Sequence, residues 1–244
     1  MFRFFACLFA FALANGSLLA ASDVPKAPVL RIETGGHLSP ITRISSDAEG
    51  NWAVTSSEDK TARLWDLRNG HQLHLTLSGH THGGQVALGG NAAFDTKTHA
   101  LYLFDRATGN LPPKATLSGI ESPIMQLAWS VDSQLIAVGL RQDGLRVFRR
   151  NLTFVGSDPE YNDAIYGAAF SRDGRLAVVS LDGSLRLYRV GKSGLERLAR
   201  KQMPGKPYGV AWSPDSSQLA IGLQDAAQAV VLSASNLTVL HTAE

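Results

Sequence analysis

The sequence predicts an all-β fold of about five repeated units, each the size of a four-stranded antiparallel propeller blade, from three observations. A strand leading through Ser into an acidic turn recurs as AWSVDS (Ala128–Ser133), AFSRDG (Ala169–Gly174) and AWSPDS (Ala211–Ser216), with a period of about 41 residues. Each unit also closes on a strand whose last large residue holds the same frame: Trp65, Phe104, Phe148, Tyr188 and Leu232. The runs QLIAVGL (Gln134–Leu140), RLAVVSL (Arg175–Leu181) and QLAIGL (Gln218–Leu223) are nearly continuous in apolar residues. They are expected to be strands buried on both faces.

Ahead of the repeats, MFRFFACLFAFALANGSLLAAS opens with a single cation, Arg3, then an apolar run and small residues. This is the pattern of a secretory signal over residues 1–21, with cleavage after Ala14 or, preferably, near Ala21. The run is too short to span about 30 Å of hydrocarbon, so no stable membrane insertion of the mature chain is expected. Residues 22–29 read as a short proline-containing leader, and 30–244 as the repeat domain. The only cysteine, Cys7, falls within the signal segment. A thiol-free mature chain excludes disulfides and Cys-based zinc sites, and export without disulfides suits a bacterial periplasm.

Composition narrows the partners. The chain has 23 Lys+Arg against 21 Asp+Glu, which gives no field for nucleic acid or an anionic membrane surface.

In the first unit Gly36-His37 precedes a strand, and TSSEDKTARLWD (Thr55–Asp66) ends on Trp65-Asp66. Gly79-His80 opens the second unit in the same style. Here the chain resembles the WD40 repeat family, of a bacterial, exported type, over about residues 30–244. The resemblance implies a β-propeller in which His37, Ser57 (or Thr55), Asp59 and Trp65 form a buried structural network in the first unit. In the fourth unit only Asp182 and Tyr188 match, and Leu232 in the fifth has no polar tip.

The second unit is degenerate. Little chain separates His80-Thr81-His82 from VALGG, so either the innermost strand is missing or Val86–Leu88 is that strand with NAAFD a weak successor; a defective blade is expected. Six outer-strand segments (VLRIET, HLTLSG, KATLSG, TFVGSD, LERLARKQ and LTVLHTAE) stand against five sets of inner strands. A closed ring needs equal numbers, so the ring is not evidently complete. A second copy or a partner chain is one way to complete it.

Catalytic candidates are weak. The Asp residues recur at turns, where they accept local backbone hydrogen bonds, and no nucleophile–base pair, P-loop or metalloprotease motif appears. His80 and His82, with His71 and His74, form the one histidine cluster, but His80 belongs to the Gly-His signature; no metal and no cofactor are expected. Asn151 and Asn236 begin Asn-Leu-Thr acceptor patterns that matter only in a eukaryotic secretory pathway.

The positions that vary while the frame repeats are more informative. Thr42, Met125, Tyr166 and Tyr208 fall at one equivalent place near the start of the innermost strand. The resemblance implies that they ring the central opening, joined by the turn residues Glu58, Arg141 and Gln224. Tyr and Arg suit protein binding; filling of the channel mouth accounts for them equally well. The expected role is a non-catalytic protein-binding scaffold. The alternative is a regulatory or sensor portion of something larger, and an enzyme with a site in the central channel ranks last.

Overall fold

The computed structural model describes residues 36–47, 49–59, 61–73, 86–88, 91–95, 101–105, 115–191 and 194–243, all within one compact unit, residues 35–244. The expected signal and leader, the segments VLRIET and HLTLSG, and His74, His80 and His82 lie outside the described residues.

Consecutive strands pair into five antiparallel four-stranded sheets. Sheet 1 is β1 (Ile41–Ser46), β2 (Trp52–Ser57), β3 (Ala62–Asp66) and β4 (His71–Leu73); sheet 2 is β5 (Val86–Leu88), β6 (Asn91–Asp95), β7 (Leu101–Asp105) and β8 (Ala115–Leu117). Sheet 3 is β9 (Ile124–Trp129), β10 (Leu135–Leu140), β11 (Leu145–Arg149) and β12 (Phe154–Asp158). Sheet 4 is β13 (Ile165–Phe170), β14 (Arg175–Ser180), β15 (Ser184–Gly191) and β16 (Gly194–Gln202). Sheet 5 is β17 (Pro207–Trp212), β18 (Gln218–Leu223), β19 (Ala229–Ser233) and β20 (Val239–Ala243).

The sheets are the blades of a β-propeller. Their first strands pack side by side in chain order, β1 on β5, β5 on β9, β9 on β13 and β13 on β17. The second unit keeps all four strands: Val86–Leu88 is its innermost strand, paired with Ala92–Phe94 of NAAFD. No strand of the blade is missing. In the first unit the outermost described strand is His71–Leu73, just ahead of the HLTLSG segment.

The repeated Ser-Xaa-Asp phrase is a turn device. Ser130, Ser171 and Ser213 each donate Oγ–H to Asp132, Asp173 and Asp215 at 2.5–2.6 Å. The same Ser oxygens accept the backbone N–H of Gln134, Arg175 and Gln218. In the first unit Asp47 takes over, accepting from the N–H of Asn51 and Trp52, while Glu49 is exposed at the acidic turn position.

The core lies between blades. The forward face of sheet 3 (Ala137, Leu145, Val147) meets the rear of sheet 4 (Ile165, Phe170, Leu176, Val178, Tyr188). The forward face of sheet 4 (Ala177, Val179, Leu185, Leu187) meets Leu219, Ile221, Val230 and Leu232 of sheet 5. β10 and β14 are accordingly buried on both faces. The third apolar run departs from that expectation: in β18 Leu219 and Ile221 are buried but Gln218 and Ala220 are exposed. The forward face of sheet 5, where Ala220 and Val231 stand in place of Ala177 and Leu187, has no comparable cover among the described residues.

Between the first and last sheets, a hydrogen bond runs from the Arg43 guanidinium to the Tyr208 hydroxyl, 3.3 Å. Two long side chains bridge the seam there.

Candidate protein-binding face

A β-bulge repeats at one place in four of the five innermost strands. The register skips from Ile41 to Arg43, from Ile124 to Gln126, from Ile165 to Gly167 and from Pro207 to Gly209. The unpaired residues are Thr42, Met125, Tyr166 and Tyr208. A bulge re-aims its extra residue and ends regular pairing, so the variable positions of the sequence are those the backbone turns out of the ladder. All four are half-buried.

Two of them meet. The rings of Tyr166 and Tyr208 stack at 4.8 Å between centroids and 23° between planes, and Arg43 lies over the outer face of the arrangement, 6.0 Å from the Tyr208 centroid. Thr42 instead turns its hydroxyl back to the Ser56 carbonyl, 3.3 Å.

The turn residues are equally regular. The N–H groups of Glu58, Arg141, Leu181 and Gln224 bond the carbonyls of Pro40, Pro123, Ala164 and Lys206, just ahead of each innermost strand. Glu58, Arg141 and Gln224 are exposed at these turns. Leu181 is the fourth member, which sequence reasoning passed over because it is apolar.

Between sheets 3 and 4 this face opens into a pocket of about 350 Å³ lined by Arg141, Gln142, Asn162, Asp163, Ala164, Tyr166 and Leu181. It brings together two of the sequence-predicted residues, Arg141 and Tyr166.

The structural network of the first unit is a relay of hydrogen bonds. Trp65 Nε1–H donates to Thr55 Oγ1 at 2.8 Å, and that hydroxyl meets His37 Nε2 at 2.7 Å. His37 Nδ1 faces Asp59 Oδ2 at 3.1 Å. Every group is satisfied if Thr55 donates to Nε2 and His37 donates Nδ1–H to the carboxylate. Of the two hydroxyls the sequence offered, Thr55 therefore joins His and Trp. Ser57 Oγ donates to the Ser39 carbonyl and accepts the Asp59 N–H. Burial pushes the Asp59 carboxyl up, but hydrogen bonds from Thr61, Leu38 and His37 outweigh it and hold it well below the usual range.

The same positions in other sheets carry different chemistry. In sheet 3 they are Ile120, Val138 and Phe148, and in sheet 5 Met203, Ile221 and Leu232, all apolar and packed together. In sheet 4 they are Tyr161, Val178 and Tyr188. With no hydroxyl at Val178, the two tyrosines bond directly, OH to OH at 2.8 Å, and Tyr188 donates to Asp158 at 2.6 Å. Arg186, fully buried, pairs with Asp158 at 2.9 Å and lies over the Tyr161 ring at 3.8 Å. Burial pushes both tyrosine hydroxyls above their usual range. Sequence reading missed Tyr161, although it stands at the same offset from Tyr166 as His37 does from Thr42.

Among the described residues no group of three or more His, Cys, Asp or Glu is placed to hold a metal ion, and no helix is long and apolar enough to cross a membrane.

Residues 29–66 and 151–189 match the WD40 family, described as WD domain, G-beta repeat. The chain is a β-propeller of four-stranded antiparallel blades, and these two stretches, one of which holds the His37–Thr55–Trp65–Asp59 relay, are WD40-like repeats within it. The chain is similar to WD repeat-containing protein 46 of Caenorhabditis elegans, 38% identical over 60 residues, which is 25% of this chain and 10% of that protein. It is similar to dynein assembly factor with WD repeat domains 1 of Danio rerio, 39% identical over 44 residues, 18% of this chain and 10% of that protein. A ribosome biogenesis protein BOP1 homolog of Monosiga brevicollis is 44% identical over 46 residues, 19% of this chain and 6% of that protein. The matched stretches thus span a tenth or less of each relative, and the relatives are eukaryotic.

Proposed function

We propose that this chain is a non-catalytic protein-binding scaffold that engages its partner through the bulge-bearing face. The observation that carries the reading is the repeated bulge, which turns Met125, Tyr166 and Tyr208 out of the ladder beside a pocket that includes Arg141. Stacked tyrosines next to an arginine offer large contact area with polar tips, the composition of interface hot spots. The test is affinity capture from native extract with the wild-type chain and with the Tyr166→Ala/Tyr208→Ala variant. A partner retained by the wild type and lost from a variant that still folds supports the scaffold reading. An unchanged partner set refutes it.

The signal-like segment at residues 1–21 supports export to a periplasm-type compartment. Cell fractionation with N-terminal sequencing checks this, and full-length protein in the cytosol rules it out.

The uncovered forward face of sheet 5 favours a second reading, in which the propeller is the regulatory or sensor portion of a larger assembly. Positions that the next blade buries in sheets 3 and 4 are open there. Sedimentation decides: a compact, stable monomer argues against this reading, and self-association or a stoichiometric partner supports it.

A further inference from the structure

The pocket between sheets 3 and 4 holds more hydrogen-bonding capacity than the described residues use. The backbone N–H of Arg141 bonds Pro123 and that of Gln142 bonds Ser122 Oγ, and Asn162 N–H bonds Asp182. Their backbones are therefore fixed. The Arg141 guanidinium, the side-chain amides of Gln142 and Asn162 and the Tyr166 hydroxyl make no hydrogen bond to any described residue, yet all line one concavity. The Asp163 carboxylate on the same wall accepts the N–H of Ala164 at 2.7 Å. It forms no ion pair with Arg141.

Each unused group has a natural complement. A guanidinium fork matches a carboxylate with two parallel bonds. A side-chain amide donates and accepts, as a peptide group does. Ala164 and Leu181 supply apolar wall, and the Tyr166 ring is held in place by its stack on Tyr208. A single acidic residue suits Arg141, whereas a second one on the opposite side would meet Asp163.

We propose that this pocket receives an acidic residue of a partner peptide segment, its carboxylate on Arg141 and its flanking peptide groups on the amides of Gln142 and Asn162. This rests on the reading of the bulge-bearing face as a binding surface, and names the chemistry that the face selects.

The test pans a displayed library of short random peptides against the whole chain. Wild-type panning enriches Asp or Glu, and panning against Arg141→Glu shifts the enrichment to Lys and Arg. A synthetic peptide from the wild-type pool binds Arg141→Ala about tenfold more weakly, as expected for loss of a charge-assisted contact. Arg141 is exposed, and thermal unfolding of the variants, matched to wild type, shows that the fold is intact. Peptides without acidic bias, or an affinity that Arg141→Ala leaves unchanged, overturn the proposal. If such a peptide is nevertheless lost on Tyr208→Ala, the acidic-pocket inference fails and the binding face stands; if neither variant affects it, both fail.

Discussion

The hydroxyls of Tyr161 and Tyr188 meet at 2.8 Å in sheet 4, in the positions that His37 and Trp65 occupy in sheet 1 on either side of Thr55. The pair closes the gap left by Val178, and Tyr188 then passes the polar chain on to Asp158 and Arg186. Tyr161→Phe removes one hydrogen bond and is expected to cost about 0.5–1.5 kcal/mol. Tyr188→Phe strands a buried hydroxyl and weakens the solvation of a buried carboxylate, and is expected to cost about 1–3 kcal/mol. Urea unfolding of the two variants measures the order. Equal or reversed losses would place Asp158 outside the relay.

Acid stability follows from the same carboxylates. Asp59, Asp158 and Asp182 are each raised by burial and lowered further by their hydrogen bonds, with a net fall. Arg175 holds Asp173, and Ser213 with Ser217 holds Asp215, at about 2. A folded-state value below the unfolded one, about 3.9 for Asp, contributes stability that is complete above the unfolded value and lost as pH falls through the folded one. The stability these carboxylates contribute is therefore expected to be complete above about pH 5 and to fall from about pH 4 towards pH 2. Chemical unfolding across that window should show a shallower fall for Asp59→Asn than for wild type; an unchanged slope would remove Asp59 from the acid response.

Much of this was legible in sequence because the period fixes the frame. The acidic residues at Asp132, Asp173 and Asp215 identify themselves as turn formers by recurring, and Thr42, Met125, Tyr166 and Tyr208 identify themselves by varying at one place. The bulge that frees those four was not legible, since an extra residue in a pairing leaves no trace in alternation. Nor was the Tyr161–Tyr188 bond, because aromatic residues at core positions read as apolar filling until their hydroxyls are placed. The apolar run of β18 misled for a related reason. It keeps the composition of an inner strand, and whether a neighbour covers its second face is a property of the assembly rather than of the strand.

Close approach at Gly139 gives a packing prediction. A methyl group there would lie 2.9 Å from Ile165 Cβ, with Cγ2 nearer still, so the junction of sheets 3 and 4 depends on the missing side chain. Gly139→Ala is expected to cost about 1–3 kcal/mol by overpacking. Combining it with Ile165→Ala should recover part of that loss in a double-mutant cycle, because the two residues share one space. Simple additivity would show that the backbone, not Ile165, sets the limit.

The forward face of sheet 5 makes the last blade weaker than sheet 4 before it. Ala177, Val179 and Leu185 of sheet 4 are fully buried by their neighbour, whereas Ala220 is exposed and Ala229 and Val231 are only half covered. Every residue of β20 is exposed, with Val239 at 51%. Local opening is easiest where few apolar contacts must be broken. Hydrogen exchange should therefore show the amides of β18 and β19 exchanging faster than those of β14 and β15, although both pairs have complete ladders. Substituting Leu187, which joins sheet 4 to sheet 5, with Ala is expected to cost about 2–5 kcal/mol and to raise exchange in sheet 5 before sheet 3. Protection of β18 equal to that of β14 in the isolated chain would mean that the forward face of sheet 5 is covered in solution. A concentration-dependent rise in that protection would trace the cover to a second copy.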